Sequence, residues 1–347
     1  MTEPHLLVHR RKGVVVATLN RPAALNALSQ EIVEELSQGL ALWGADDSVK
    51  MVFLEGAGDR AFCAGGDIKA AYHAGQKWKA EGGDDSFISY FFRLEYRLNR
   101  MMFHYRKPIV AFMDGITMGG GYGLAGQCRY RIATEKTVFA MPETGIGFFP
   151  DVGSVYHLNL SPKRVGYYLG VTGNHVKADD MMFAKLADHY IPSAALPDVK
   201  QALVDGERPG AVFKRFGAKP EAGVLRANAG VINRAFAGKD IDVVLERLER
   251  GGAFGQETAA TIRTRSPVSV KLALAYLRKM RFKPFDMVME HDYRIAQHIL
   301  KEHDFYEGVR AMVIDKDRQP RWNPARLEQV SEGAVEAHFV PGAYRLD

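Results

Sequence analysis

Two rhythms of apolar and polar residues alternate along this chain. Short β-branched or fully apolar runs recur in its first part: Val14 to Leu19, Val49 to Leu54 and Ile109 to Met113. Each reads as a strand, and the last, with no polar residue, as a buried one. Helical spacing fills the intervals. Ser29 can cap a helix on which Ile32, Leu36, Leu40 and Trp43 share one face. Glu81 to Asp85 is polar and glycine-rich and reads as a loop, followed by a helix from Ser86 to Arg106. On that helix Phe91, Glu95, Leu98 and Met102 fall on one face. Lys163 to Gly170 and Ala178 to Ala187 read as further helices, with Thr172-Gly173 and the His189 to Pro192 stretch separating or ending them. From Leu196 onward the pattern is helical and broken by glycine and proline; Val243 to Leu248, Val268 to Leu277 and Met287 to Leu300 are its clearest pieces. The expectation is an α/β chain, with a strand–helix core over residues 1–200 and a helical region over residues 201–347.

Glycine falls where these rhythms break. After the Ile109 to Met113 run the chain turns at Asp114-Gly115 and reaches Gly119-Gly120-Gly121, and Gly121 to Gln127 then reads as a short helix. Glycines there let backbone approach a ligand, and their amides lie near a helix start, suited to an anion or a developing oxyanion. A second turn, Ala64-Gly65-Gly66-Asp67, also follows a strand and precedes a helical pattern. Two lone carboxylates follow in apolar settings: Glu143 in Met-Pro-Glu-Thr and Asp151 in Phe-Phe-Pro-Asp. Amide donors with carboxylates suggest chemistry at a carbonyl. Glu95 on its apolar face is either the partner of a nearby arginine or a carboxylate turned to a pocket.

Composition narrows the classes. With 47% hydrophobic and 25% charged residues the chain is ordinary globular material with a large core. The net charge of +5 is spread without a basic run, which argues against nucleic acid as partner. No apolar run approaches membrane-spanning length. The two cysteines, Cys63 and Cys128, suit a reducing compartment, and no Cys/His cluster suggests a metal. The N-terminal residues show neither a signal-peptide core nor a transit-peptide pattern, so a cytoplasmic enzyme is expected.

At this point the sequence resembles a known family. Asn20-Arg21-Pro22 with Leu25-Asn26-Ala27-Leu28, Ala61 to Lys69, Gly119 to Gly121 and Met141-Pro142-Glu143 are signatures of the crotonase (enoyl-CoA hydratase/isomerase) superfamily. Within it the likeness is to the 3-hydroxyisobutyryl-CoA hydrolase subgroup. The subgroup's features are Phe91 to Tyr96, Gly115 to Gly121, Ala140 to Thr144 running on to Phe149 to Gly153, and a late block from His303 to Asp317. The resemblance implies a spiral of ββα turns with a helical C-terminal region and an acyl-CoA substrate. It implies no metal and no separate cofactor, coenzyme A being part of the substrate, and members often form homo-oligomers. It assigns the amides of Gly66 and Gly120 to an oxyanion hole, and it lays CoA along the Ala64 to Asp67 loop and the Asn20 to Leu25 turn. Many members carry Lys where this chain has Ala24, which leaves the CoA phosphates to another Lys or Arg.

One departure bears on the reaction. Hydratases of the superfamily carry a catalytic Glu where this chain has Gly123, and glycine where it has Asp151. Hydration needs a second acid–base group, and losing one costs ~10²–10⁴ in rate. The resemblance therefore implies thioester hydrolysis, as in valine breakdown, with another hydratase or isomerase reaction as the alternative. It gives Glu143 the role of nucleophile or of base for water, Asp151 that of positioning water or substrate or assisting proton transfer, and Glu95 that of binding an acyl hydroxyl. His104 and His157 lie near the same segments and read as partly buried structural residues.

Overall fold

A computed structural model describes residues 4–82 and 86–347; part of the loop expected from Glu81 to Asp85 thus lies outside the described residues. The chain divides into two compact units interleaved along the sequence. One comprises Met1–Gly66, Leu98–Phe139 and His175–Val224; the other comprises Asp67–Arg97, Ala140–Asn174 and Leu225–Asp347.

The first unit holds the sheets. Strands β1 (Leu6–Arg11), β2 (Val14–Leu19), β3 (Met51–Gly56), β4 (Ala61–Cys63), β5 (Ile109–Met113), β6 (Ile116–Met118), β7 (Tyr130–Ala133), β8 (Val138–Ala140) and β9 (His189–Tyr190) follow in chain order. A six-stranded sheet runs β1-β2-β3-β5-β7-β9, and a three-stranded sheet runs β4-β6-β8. Only the β1–β2 pair is antiparallel in the larger sheet; β2–β3, β3–β5, β5–β7 and β7–β9 are parallel. The connectivity therefore repeats. A strand of the large sheet (β3, β5, β7) is followed by one of the small sheet (β4, β6, β8) and then by helix: Ile68–Glu81 after β4, Gly120–Ala125 after β6, and the Glu143–Ile146 3-10 turn with Ser154–Asn159 after β8. This is a ββα spiral.

Burial explains the patterns. Every residue of β5 is buried, as parallel strands covered on both faces require. Phe53 and Phe112 meet edge to face at 5.2 Å between ring centroids, and Val110, Ile132, Val199, Leu203 and Phe213 pack with them in one core. Each fully buried side chain of this size contributes about 1.5–3 kcal/mol. β1 escapes the hydrophobic pattern because it is an edge strand on which only Leu6 is buried. Ser29 caps Gln30–Ala45, accepting the amide of Ile32, as the sequence suggests.

The second unit is helical, and among the described residues no strand follows Tyr190. The three C-terminal segments read from periodicity are the helices Ile241–Glu249, Pro267–Lys279 and Phe285–Ile299. Several boundaries differ from expectation; the helix expected from Ala178 to Ala187 ends at Phe183, and that expected from Gly121 to Gln127 is Gly120–Ala125. Lys163 and Arg164 take φ +52 and +56, so the helix expected from Lys163 starts at Val165. The helix expected to run to Arg106 is Ser86–Phe103, since Pro108 disfavours helical backbone just ahead of it.

Candidate functional site

The glycine loops of the first unit are cross-braced by backbone. After the Pro22–Ala24 turn, Leu25 and Asn26 take φ +52 and +56. The Ala64 amide donates to the Leu25 carbonyl at 3.0 Å, and the Leu28 amide to the Gly65 carbonyl at 2.8 Å. Asn26, fully buried, locks the turn. Its Oδ1 accepts from the Arg21 amide at 2.9 Å, and its Nδ2 donates to the carbonyls of Ala57 and Ala61 at 2.9 and 2.8 Å. The two glycine loops also approach each other. A Cβ on Gly65, at φ +115, would lie 3.4 Å from the Met118 carbonyl and 3.6 Å from the Gly120 amide nitrogen. A Cβ on Gly121 would fall 2.1 Å from the Cys63 carbonyl oxygen, so only glycine fits there. Neither the Gly66 nor the Gly120 amide donates to an acceptor among the described residues. Leu25, Ala64, Gly66 and Gly120 thus come together in one unit, and Asp67 stands just beyond, at the start of Ile68–Glu81.

The second unit gathers the carboxyls. Glu95 sits on the buried face of Ser86–Phe103 beside Phe92 and Tyr96, and is 2% exposed. No arginine or lysine among the described residues pairs with it, so the ion-pair reading of Glu95 is not borne out. Glu143 opens its 3-10 turn, 5% exposed, with the Phe148 amide donating to its carbonyl at 3.0 Å. Asp151, 4% exposed, accepts a hydrogen bond from the Tyr96 hydroxyl at 2.6 Å. Oε1 of Glu95 and Oε2 of Glu143 are buried with no hydrogen-bond partner. Such oxygens are costly to leave unpaired, and a bound polar ligand would satisfy them.

Electrostatics follows from this crowding. Burial, and then the Asp151 charge, hold Glu95 well above the usual carboxylate range. Burial, and then Asp151 and Glu95, do the same to Glu143. Asp151 is pushed up to about 7 by burial, against the Tyr96 hydrogen bond, which favours its charged form. Burial and mutual repulsion therefore resist three negative charges on the trio at once. A carboxylate made this basic, once ionised, is a competent base or nucleophile near neutrality.

Tyr96 is the group that sequence reading missed. It stands in the quoted Phe91 to Tyr96 motif, but nothing local tells which carboxyl its hydroxyl meets. His157 is buried against the Phe285 ring and His104 is exposed; neither touches the trio in any described contact. Among the described residues no group of three or more His, Cys, Asp or Glu is arranged to hold a metal ion, and no helix is long and apolar enough to cross a membrane.

Several known proteins are similar to this chain. The 3-hydroxyisobutyryl-CoA hydrolase, mitochondrial, of Xenopus laevis is 39% identical over 336 residues, 94% of this chain and 86% of that relative. A solved structure of a carnitinyl-CoA dehydratase from Mycobacterium thermoresistibile superposes with a TM-score of 0.92 at 35% identity, covering 99% of both chains. One of an enoyl-CoA hydratase from Rhodobacter sphaeroides 2.4.1 gives 0.89 at 36% identity, covering 97% of both. The family model for enoyl-CoA hydratase/isomerase matches residues 14–339. With its ββα spiral, paired glycine loops and buried carboxyls, this chain belongs to the enoyl-CoA hydratase/isomerase family and has the crotonase fold.

Proposed function

We propose that this protein hydrolyses 3-hydroxyisobutyryl-CoA, or a close short 3-hydroxyacyl-CoA, to the free acid and CoA. The observation that carries the reading is the buried trio Glu95, Glu143 and Asp151, with two carboxyl oxygens left for a ligand. The hydrolase relatives support it. The structurally similar proteins described as dehydratase and hydratase point to the alternative. Against that alternative, the position where hydratases carry their second catalytic Glu is Gly123, buried in Gly120–Ala125.

The chemistry assigns the roles. An oxygen nucleophile adds to the thioester carbonyl carbon, and the C=O π pair moves onto oxygen. The amides of Gly66 and Gly120 receive that oxyanion, each such donor being worth about 2.7–4 kcal/mol. Collapse breaks the C–S bond, and the thiolate leaves to be protonated as free CoA. Glu143 supplies the attack, either through its own carboxylate, giving an anhydride that water then opens, or by taking a proton from water. Asp151 orients water or substrate or assists proton transfer, and Glu95 hydrogen-bonds the acyl 3-hydroxyl. The CoA portion lies along Leu25, Ala64 and Asp67. The enzyme acts in valine breakdown, in the cytoplasm, whereas the Xenopus laevis relative is named as mitochondrial.

The test is thiol release across short acyl-CoAs. 3-Hydroxyisobutyryl-CoA should be turned over fastest and isobutyryl-CoA far more slowly, since a site built for a hydroxyl is left unpaired without it. Glu95→Ala should narrow that gap. Efficient hydration of crotonyl-CoA without thiol release would replace this reading with the hydratase one.

A further inference from the structure

The segment that carries Asp151 is strained. Val152 and Gly153 stand at φ +53 and +73, two left-handed residues in a row. Glycine takes such a φ freely, but a β-branched residue there is an outlier that its surroundings must hold. The holding group comes from a distant part of the sequence. The Gly153 amide donates to Oδ2 of Asp292 at 2.7 Å. A Cβ on Gly153 would fall 2.5 Å from the Phe285 ring and 3.0 Å from Met289 Sδ, so this backbone is pressed onto the Phe285–Ile299 helix. The other Asp292 oxygen meets the Tyr276 hydroxyl at 2.6 Å, and that hydroxyl also lies 2.8 Å from the Val288 carbonyl oxygen. Asp292 is fully buried, and no lysine or arginine pairs with it among the described residues. The groups facing it are the Gly153 amide, the Tyr276 hydroxyl and, through space, the Asp151 carboxyl and Tyr96 hydroxyl. A carboxyl buried without a cation is costly, and this one is spent on the backbone amide two residues past Asp151.

We propose that Asp292 is a positioning residue for the hydrolysis: its hydrogen bond to the Gly153 amide fixes the left-handed turn that aims the Asp151 carboxyl. This rests on the reading of the carboxyl trio given above. The turn and the Tyr96 hydroxyl then fasten Asp151 from its backbone and its side chain.

Two substitutions separate the bond from the bulk. In Asp292→Asn, Oδ1 still accepts the Gly153 amide, Nδ2 donates to the Tyr276 hydroxyl, and that hydroxyl donates to Val288. Asp292→Leu matches the size and keeps none of these bonds. The leucine variant should lose on the order of 10²-fold in kcat, the effect of roughly a 1 Å misplacement, with KM for the thioester near the wild-type value. The asparagine variant should regain most of that loss. Hydrogen exchange should show the Gly153 amide protected in both the wild type and the asparagine variant. The proposal is overturned by a leucine variant with wild-type kcat, by an asparagine variant as slow as the leucine one, or by a wild-type Gly153 amide that exchanges like an exposed one. The last reading stands even if the leucine variant does not fold. A wild type that releases no thiol from any short acyl-CoA would sink the functional reading instead, and amide protection would still report on the clamp.

Discussion

Asp151 and Tyr96 show how single residues divide the work. The Tyr96 hydroxyl donates to Asp151 and stabilises its charged form, against the burial that pushes this carboxyl toward neutrality. Ionised Asp151 appears as pH rises through about 7, so kcat/KM should climb across that interval. Tyr96→Phe removes the hydrogen bond to the charged form and should move this acid limb to higher pH. A limb that stays in place would detach it from Asp151. Glu143→Gln tests the attacking group. It removes the base but keeps shape and polarity, and should cost ~10²–10⁴ in kcat with CoA binding retained. Turnover close to wild type would remove Glu143 from the centre of the reaction.

Among elements, the Glu143 turn is held closely by its neighbours. Gly147 ends it at φ +70, where a Cβ would lie 2.0 Å from the Asp304 carbonyl oxygen. A Cβ on Gly308 would lie 2.3 Å from the Ile146 backbone carbon. The Ser266 amide donates to the Thr144 carbonyl at 3.1 Å, and the Ser266 hydroxyl to Asp304 at 2.6 Å. Asp304 also accepts the Asn323 amide at 2.8 Å. The His303 to Asp317 block, legible in sequence only as a family signature, thus acts as a clamp on the segment carrying Glu143. Gly308→Ala must displace that turn. It should cost about 1–3 kcal/mol, as overpacking does, and lower kcat as well. Gly333→Ala is the control: its Cβ would meet only the Ser331 hydroxyl at 3.9 Å, so Tm and kcat should hold. Equal behaviour of the two variants would remove the clamp.

For the whole molecule, the trio opposes stability. Asp151 has a folded value of about 7 against an ordinary 3.8, so the native state binds its proton more tightly than the unfolded chain does. Stability from this group is fully present below pH 3.8 and is lost as pH rises to about 7. Glu95 and Glu143 are raised too and act in the same direction. Asp151→Asn should therefore raise Tm at pH well above this window and leave it nearly unchanged near the lower end, where the wild-type carboxyl is already neutral. Thermal unfolding across pH decides; a Tm gain that ignores pH would mean that the carboxyl of Asp151 does not carry this dependence. Such a gain with loss of turnover is the expected exchange at an active site.

Legible along the chain were the local features: where a strand is wholly apolar, where the chain must turn on glycine, and which carboxylates stand in apolar surroundings. Those depend on neighbours along the chain, so Ile109–Met113, the Ser29 cap and the Gly119 to Gly121 turn were all readable. The sequence also carried the family, because the motifs around Asn26, Gly66, Gly120 and Glu143 are short contiguous runs that can be read along the chain. β1 and β9 were not readable, since an edge strand with one buried residue and a strand of two residues leave no periodic trace. It takes the folded chain to bring Glu95, Glu143 and Asp151 into one buried region, to set the Tyr96 hydroxyl on Asp151, and to seat the Gly153 amide on Asp292. Those pairings join segments remote in sequence through charge and hydrogen bonds across space, and no spacing along the chain records which donor a buried carboxyl will meet.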